Sequence, residues 1–247
     1  MRNTIKGFYY ECNSRFNGTP LVVLFTGFAK RTANQKTGDQ IQTWILDPRD
    51  TPLNISRQNK DKSNCGDCPQ RHSKGGGCYV VLMHGPAQVY KGYKNGSYTK
   101  LDLTNPVHIR HFKNRIIRLG AYGDPCAIPL SFWNDLLEKT GITKWTGFTH
   151  AWKKRENQEY KSLLMASADN LYAANLAQKK GWRYFRVRSS EDALVAKEFE
   201  CPGSKEQDYR LSCAECLSCY GTKNNLKTLA ANPVIISHGA KHRSFVA

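Results

Sequence analysis

The sequence is poor in acidic residues and in long apolar runs, and each shortage excludes a class of protein. It has 20 aspartates and glutamates against 37 lysines and arginines, which gives a formal net charge of +17. A field of this sign disfavours cationic partners and favours nucleic acid or a phosphorylated ligand. Apolar runs such as residues 21–25 are far too short to cross a bilayer. We therefore expect an anionic partner and no membrane association.

The N-terminal segment MRNTIKGFYYECNS lacks the apolar core of a signal peptide. This absence predicts a cytoplasmic protein, in which thiols stay reduced. Nine cysteines are present. In a reducing compartment they indicate metal ligands rather than disulfides.

From residue 78 onward, short apolar segments alternate with amphipathic ones. The strand-like segments cover residues 78–85, 115–125, 144–152, 160–170, 182–190, 194–201 and 232–239. Helix-like segments cover residues 86–96, 129–141 (with Ser131 as a possible cap) and 170–181. The alternation predicts an α/β fold: a mostly parallel sheet or a partial (β/α) barrel with Cys-rich metal-binding loops. We expect residues 1–62 to be a β-rich N-terminal lead-in packed on an α/β metal-binding domain at 63–247.

Polar side chains follow most of the predicted strands. Because parallel α/β folds place ligand sites at the carboxyl ends of their strands, these residues are expected to share a pocket. The predicted acid–base residues are Asp124, His150 and Asp169. The predicted cofactor-binding residues are Ser167, Asn170 and His238. Turn and capping roles are the alternative for each residue taken singly.

Seven of the nine cysteines form two groups. The first group is Cys65-x2-Cys68-x9-Cys78, and the second is Cys201-x11-Cys213-x2-Cys216-x2-Cys219. We predict all seven as metal ligands. Cys12 is interpreted as a small buried apolar residue, and Cys126, near the predicted pocket, as a reserve ligand.

The second group has enough thiols for a closed site. Four thiolates satisfy a tetrahedral zinc ion. Zinc sites usually use two separated Cys-x2-Cys pairs, whereas a Cys-x2-Cys-x2-Cys run with a distant fourth cysteine is closer to the ferredoxin pattern of a 4Fe-4S iron–sulfur cluster. The cluster is therefore the preferred prediction for Cys201, Cys213, Cys216 and Cys219, with zinc as the alternative.

The first group has three thiols, and three ligands leave an open position of the kind that catalytic metal sites keep. The fourth ligand could be His72, His84, Cys126 or an exogenous group. Three glycines directly precede Cys78. They permit close backbone approach and anion-binding turns, or simply a flexible loop.

Several motifs occur in an order that resembles a family of uncharacterised cysteine-rich proteins carried by phages and plasmids. They are CGDCPQRHSKGGGCYV, RLGAYGDP, GFTHAWKK, LLMASADN, ECPG with CAECLSC, and VIISHGAKH, and the resemblance covers residues 63–243 or thereabouts. The resemblance implies a mobile-element origin, hence a host cytoplasm for a phage-encoded chain, and a metal centre. It implies the same seven cysteine ligands and leaves Cys12 and Cys126 outside them.

A looser likeness connects the chain with radical S-adenosylmethionine enzymes. Those proteins hold a 4Fe-4S cluster by three cysteines near the start of a partial (β/α) barrel, and many carry auxiliary clusters near the C-terminus. The likeness implies S-adenosylmethionine as a cofactor. The family's Cys-x3-Cys-x2-Cys spacing is absent here, and Cys-x2-Cys-x9-Cys replaces it.

The segment GWRYFRVRSS interleaves arginines with aromatic residues, a mixture that can stack on bases and pair with phosphates. On a strand neither face would be purely basic, so core packing is the competing interpretation.

Two functions follow from these patterns. The first is an iron–sulfur enzyme with redox or radical chemistry on a nucleotide or nucleic acid. The alternative is a non-enzymatic, zinc- or cluster-stapled nucleic-acid-binding protein.

Overall fold

The computed structural model describes residues 5–28, 34–222 and 231–237. The chain divides into two compact units. Unit 1 comprises the described parts of residues 1–33, 39–66 and 80–145, and unit 2 those of residues 34–38, 67–79 and 146–247. The expected boundary between residues 62 and 63 stays a prediction.

Unit 1 is built on a mixed sheet. Its strands are β1 (Gly7–Asn13), β2 (Pro20–Thr26), β3 (Ile41–Leu46), β4 (Thr99–Lys100) and β5 (Ile117–Tyr122), in the order β4-β1-β2-β3-β5. The pairs β1–β2 and β2–β3 are antiparallel, and β1–β4 and β3–β5 are parallel. Its helices are α1 (Pro52–Arg57), α2 (Lys62–Cys65), α3 (Gly85–Lys94), α4 (Pro106–Arg110) and α5 (Leu130–Thr140), with a 3-10 turn at Pro125–Ala127.

The core of unit 1 follows from its apolar segments. The run from Leu21 to Phe25 on β2 is buried on both faces, as expected for a central strand rich in β-branched and aromatic residues. Helix α5 buries Phe132, Trp133, Leu136, Leu137 and Thr140, a stripe with helical spacing.

The sequence prediction is right about the end of helix α5 and wrong about the residue that caps its beginning. It ends at Gly141, whose φ of 68° suits glycine at a helix terminus. Ser131 is not its cap, because the N-cap is Pro129 and Ser131 lies inside the first turn. A proline with its fixed φ can begin the helix without a side-chain cap.

Unit 2 contains a wholly parallel sheet. Its strands are β6 (Trp145–Thr149, of which Trp145 belongs to unit 1), β7 (Met165–Ala168), β8 (Tyr184–Arg188), β9 (Glu198–Glu200) and β10 (Asn232–Ile236), in the order β6-β7-β8-β10-β9. Its helices are α6 (Leu171–Lys179) and α7 (Cys213–Cys216), with 3-10 segments at His72–Lys74, Ala151–Lys153, Arg155–Ser162 and Lys205–Gln207.

The α/β class with mostly parallel pairing is confirmed. The strand order has one edge strand in unit 1, β4, and one in unit 2, β9, so the described strands form an open sheet rather than a closed barrel. Among the described residues, no helix is long and apolar enough to cross a membrane.

The strand expected at residues 78–85 is wrong. Residues 79–81 have no regular structure, a turn covers 82–84, and α3 begins at Gly85. Tyr79, Val81 and Met83 are all more than half exposed, so every second side chain of this run points away from a core. A short apolar run alone does not distinguish a strand from a loop.

The arginine-rich segment on β8 belongs to the core of unit 2. Trp182 and Tyr184 are buried, and Arg186 is 1% exposed. The Arg186 guanidinium makes two hydrogen bonds to the carboxylate of Glu198, with Nε–Oε1 and Nη2–Oε2 distances of 2.8 and 2.6 Å. Core packing therefore explains the segment, because Trp182, Tyr184 and Arg186 are not available for stacking on bases.

Candidate metal centres

The four cysteines of the second group converge on one small cavity in unit 2. Cys201 follows β9, Cys213 and Cys216 are the first and last residues of α7, and Cys219 lies three residues further on. The cavity has a volume of about 10 Å³ and is lined by all four of these residues. Pro202, Leu211, Leu217 and Pro233 supply apolar walls. Residues up to 18 positions apart in the sequence thus line the same cavity.

Local capping explains how α7 presents two of these thiols. Ser212 and Glu215 form a capping box, in which the backbone N–H and the hydroxyl of Ser212 donate to the Glu215 carboxylate at 2.8 and 2.7 Å. Leu217 then adopts a left-handed conformation with φ of 49°, which ends the helix and turns the chain toward Cys219. A helix of one turn with its two cysteines three residues apart places both on the same side.

Backbone hydrogen bonds fix the rest of the segment. The Gly147 N–H on β6 donates to the Cys219 carbonyl at 3.0 Å, and the Cys213 N–H donates to the Lys36 carbonyl at 2.8 Å. The cysteine-rich turn is therefore attached to the sheet at one end and to residues 34–38 at the other.

The raised pKa values of two thiols in this group are consistent with a site that binds a cation. Burial, together with the negative charges of Cys213, Cys201 and Cys216, raises the pKa of Cys219 well above its ordinary value. Burial likewise raises the pKa of Cys201, while a hydrogen bond from the Gly203 N–H opposes the rise. Cys201 and Cys219 therefore resist becoming thiolates unless a positive charge is placed beside them. A divalent metal ion or a cluster supplies that charge.

The four thiols line one cavity but do not yet have the geometry of a metal site. Among the described residues, no group of three or more His, Cys, Asp and Glu side chains already has the arrangement that holds a metal ion. All nine cysteines are thiols rather than disulfides. The donor set fits a soft metal, and side-chain rotation would complete the site.

The cysteines of the first group belong to different units. Cys65 ends α2 in unit 1, whereas Cys68 and Cys78 lie in unit 2. Three hydrogen bonds fold the 70–78 loop back on itself: the N–H groups of Gly76, Gly77 and Cys78 donate to the Arg71 carbonyl, the Gln70 side chain and the Gln70 carbonyl at 3.0, 3.1 and 2.9 Å. Since these glycine N–H groups are used within the loop, they do not form an anion-binding turn.

His150 and Asp169, two predicted catalytic residues, are in direct contact. His150 follows β6 and Asp169 follows β7, and these strands are parallel neighbours. The His150 Nε2 and Asp169 Oδ1 atoms are 3.1 Å apart. Their side chains are 23% and 16% exposed. The expectation that neighbouring strand ends gather polar residues therefore holds at this pair.

The other ring nitrogen of His150 faces a cysteine. The Cys68 Sγ and His150 Nδ1 atoms are 3.3 Å apart, although the residues are 82 positions apart in sequence. Burial lowers the pKa of His150, but the charge of Cys68 and the hydrogen bond to Asp169 outweigh it and raise the pKa well above the ordinary 6.5. Cys68, His150 and Asp169 thus form a continuous chain of polar contacts.

The remaining predicted residues have identifiable local contacts. In unit 1, the Asp124 carboxylate accepts a hydrogen bond from the Cys126 N–H at 2.9 Å and caps a 3-10 turn. In unit 2, the Asn170 side chain accepts from the Ala173 N–H at 2.8 Å and caps α6, and the Ser167 carbonyl accepts from Trp152 Nε1 at 2.9 Å. The catalytic and cofactor roles of these residues stay predictions, and His238 lies outside the described residues.

The alternatives for the first group also have definite places. His84 belongs to unit 1 and is the N-cap residue of α3, whereas His72 starts the 3-10 segment of the loop in unit 2. Cys126 is fully buried in unit 1, and burial raises the pKa of the half-buried Cys12 to about 11. Sequence reasoning did not select His150 as a partner of Cys68, because only the register of β6 places it there.

Comparisons with protein-family models, curated proteins and solved structures gave no match to this chain. The resemblance to phage and plasmid proteins therefore stays a prediction.

Proposed function

We propose that this chain is a metalloprotein in which Cys201, Cys213, Cys216 and Cys219 hold a metal as thiolates. One observation carries the proposal: all four cysteines line one cavity in unit 2. Apolar residues line part of the cavity, and burial raises the pKa of Cys219 and of Cys201, so a bound cation would be needed to ionise these two thiols.

The closed arrangement favours a structural role. Four protein ligands complete a tetrahedral shell and leave no position for a substrate, as in structural zinc sites. A cavity of about 10 Å³ has room for one atom-sized species, which favours a single ion. The Cys-x2-Cys-x2-Cys spacing favours a 4Fe-4S cluster instead. We propose a single zinc ion before a cluster, because four thiolates complete the tetrahedral shell of zinc without added inorganic sulfide.

Metal analysis of anaerobically purified full-length protein tests the proposal. We expect bound zinc, of which one equivalent is lost in Cys216→Ser and kept in the control Cys12→Ser, because Cys12 lies in unit 1. Brown protein with stoichiometric iron and acid-labile sulfide, lost in the same variant, would retain the four-thiolate centre and replace zinc by a cluster. It would also favour redox or radical chemistry, which cleavage of added S-adenosylmethionine would then examine. Metal-free native protein, or metal content unaffected by Cys216→Ser, would overturn the proposal.

A second proposed function, nucleic-acid binding, is supported by the net charge of +17. Buried Arg186 does not contribute to it. The basic residues of unit 2 that are exposed include Lys153, Arg155, Lys179, Lys180, Lys197, Lys205 and Arg210. A metal-stapled fold with such a surface would hold phosphates by charge rather than read base sequence.

Retention of labelled DNA at increasing salt tests this second function. A protein that makes 6–10 phosphate contacts loses about 10³–10⁵-fold in affinity between about 50 and 200 mM salt. We expect a steep fall of this kind on duplex and single-stranded DNA. Absence of retention at about 50 mM salt would exclude the function.

A further inference from the structure

We propose that Cys68 and His150 are adjacent ligands of a second metal ion, with Cys78 as a third ligand and Asp169 as the carboxylate that orients His150. The ion is a divalent transition metal of the class that imidazole and thiolate share, zinc first. This site is independent of the four-cysteine centre, and it changes the role of His150 from general base to ligand.

The first argument for this site is the distance between the two donor atoms, Cys68 Sγ and His150 Nδ1. Bond lengths of about 2.3 Å to sulfur and 2.0–2.1 Å to nitrogen, at a tetrahedral angle, place two such ligands about 3.5 Å apart. The Cys68 Sγ and His150 Nδ1 atoms are 3.3 Å apart. A small movement of either side chain therefore admits an ion bound to both.

Asp169 supplies the second step. A metal-bound histidine usually donates the N–H of its other ring nitrogen to a carboxylate, which fixes the tautomer and ring orientation. In this structure Nδ1 faces the thiol, and Nε2 faces Asp169 Oδ1 at 3.1 Å. This is the polarity that a carboxylate–histidine–metal arrangement requires.

The glycine-rich loop supplies the third step. The Cys78 N–H donates to the Gln70 carbonyl at 2.9 Å, so residue 78 returns to a position beside residue 70, two residues after Cys68. A Cβ on Gly76 would lie 2.5 Å from the Gln70 backbone. Glycine at this position thus permits the loop to return. Binding by Cys78 also requires movement of its side chain, because the described residues contain no ready group of three ligands.

The loop and the histidine are also linked near the site. Lys154, four residues after His150, forms a 2.7 Å ion pair with Asp67, the residue before Cys68. The ion pair is half-exposed and contributes little stability, but it shows that the two segments run side by side over several residues.

Metal titration of the full-length protein tests the proposal with spectroscopic readouts. Apoprotein is loaded with Co²⁺ and then titrated with Zn²⁺ in the presence of a competing chelator. We expect wild-type protein to show a Cys- and His-ligated cobalt spectrum, and His150→Ala to lose one equivalent of metal. His150→Cys should retain that equivalent with a spectrum shifted toward more thiolate ligation.

Asp169→Asn separates orientation from ligation. It removes the charge of the orienting carboxylate but leaves Cys68 and His150, so we expect the metal to bind about 10- to 100-fold more weakly with the same cobalt spectrum. Cys12→Ser serves as the matched cysteine control and should not change either equivalent. Circular dichroism identifies any variant that fails to fold. If His150→Ala does not fold, the metal content and cobalt spectrum of His150→Cys test the site instead.

The outcomes also separate this site from the four-cysteine centre. Cys216→Ser should remove a different equivalent of metal, so either proposal can fail alone. Full metal content and unchanged affinity in both His150→Ala and Cys68→Ser would overturn the second site. In that event Cys68 and His150 form a metal-free thiol–imidazole pair, which iodoacetamide would alkylate at a rate that His150→Ala lowers.

Discussion

Replacing Glu198 by glutamine probes how the parallel sheet of unit 2 is held together. Glu198 is on β9 and Arg186 is on β8, and β10 lies between these two strands. The two side chains are 0% and 1% exposed, and two hydrogen bonds of 2.6 and 2.8 Å join them. The same carboxylate accepts from the Tyr184 hydroxyl at 3.1 Å and the Val195 N–H at 3.0 Å. One buried carboxylate therefore connects both strands and the loop before β9.

The expected cost follows from the burial of both charges. Glu198→Gln leaves the Arg186 charge in the core without a counter-charge, a change that costs about 3–5 kcal/mol when one partner of a buried pair is removed. Since single domains are stable by only about 5–15 kcal/mol, this is a large fraction of the total. Tyr184 should respond too, because burial and the charge of Glu198 raise its pKa to about 12. Its pKa should fall in the variant.

Urea unfolding of the metal-loaded protein measures the loss. The matched control is Glu200→Gln, since Glu200 also pairs with a buried arginine, Arg188, but is itself 33% exposed. Arg188 keeps hydrogen bonds to the Ser189 and Asp192 carbonyls, so the loss should be smaller than in Glu198→Gln. Equal and small losses in the two variants would refute the reasoning. If Glu198→Gln does not fold, the double variant Arg186→Met/Glu198→Leu should recover folding, because apolar residues of similar size can replace a buried ion pair.

The same pair makes stability depend on acidity. Burial raises the pKa of Glu198, but hydrogen bonds from Arg186 and Val195 outweigh it, and the net pKa in the folded protein lies below the ordinary 4.5. A carboxylate of this kind contributes stability above the unfolded pKa, and that stability is lost as pH falls through the folded pKa. Urea midpoints should therefore fall below pH 4.5 in wild-type protein and fall less steeply in Glu198→Gln.

Two further variants test local roles assigned above. Asn170→Ala removes the 2.8 Å cap of α6 and should lower the free energy of unfolding by about 1 kcal/mol with metal content unchanged, as measured by urea unfolding and metal analysis; a loss of bound cofactor or metal without a loss of stability would contradict a capping role. Gly76→Ala introduces a Cβ 2.5 Å from the Gln70 backbone, so it should displace Cys78, cost about 1–3 kcal/mol and weaken the metal bound by Cys68 and His150. The control is Gly77→Ala, which should reduce stability less because Gly77 does not have a positive φ. Gly75→Ala is unsuitable as a control, because the φ of 72° at Gly75 disfavours any side chain.

Much of the fold could be predicted because it depends on local pattern. Strands β2, β5 and β7 are short apolar segments bounded by turn residues, and α5 carries its apolar stripe at helical spacing. The error at residues 78–85 has the same origin, since an apolar run is a necessary but not a sufficient condition for a strand. Whether such a run finds a partner strand is decided by the rest of the chain.

The candidate sites also differ in how far they depend on local sequence pattern. The spacing of Cys213, Cys216 and Cys219 is local, and the sequence alone placed these residues in one group. The contact between Cys68 and His150 spans 82 positions and depends on where β6 ends relative to the loop, so no local pattern could reveal it. His150 and Asp169 are intermediate, because adjacent parallel strands make their meeting predictable once the strands are recognised.

The cysteine-rich segment of unit 2 shows why a metal suits this fold. Between β8 and residue 222, the only regular elements are β9 with three residues, a 3-10 turn with three and α7 with four. Helices of one turn are not stable by themselves, because nucleation costs more than a single turn returns. Yet this segment is well anchored: Arg183 donates to the Tyr220 carbonyl at 3.0 Å, and its guanidinium lies 4.6 Å from the Tyr220 ring centroid.

Those contacts hold the end of the segment, and the Cys213 N–H, which donates to the Lys36 carbonyl, holds it near the start of α7. Structural zinc contributes about 10–16 kcal/mol in peptides, which is comparable with the whole stability of a domain. A centre held by Cys201 and by the three cysteines of the turn would join the end of β9 to a loop attached to β6 through Gly147. In the sheet order β7, β8 and β10 lie between these two strands, so one ion could link elements that are not paired with each other.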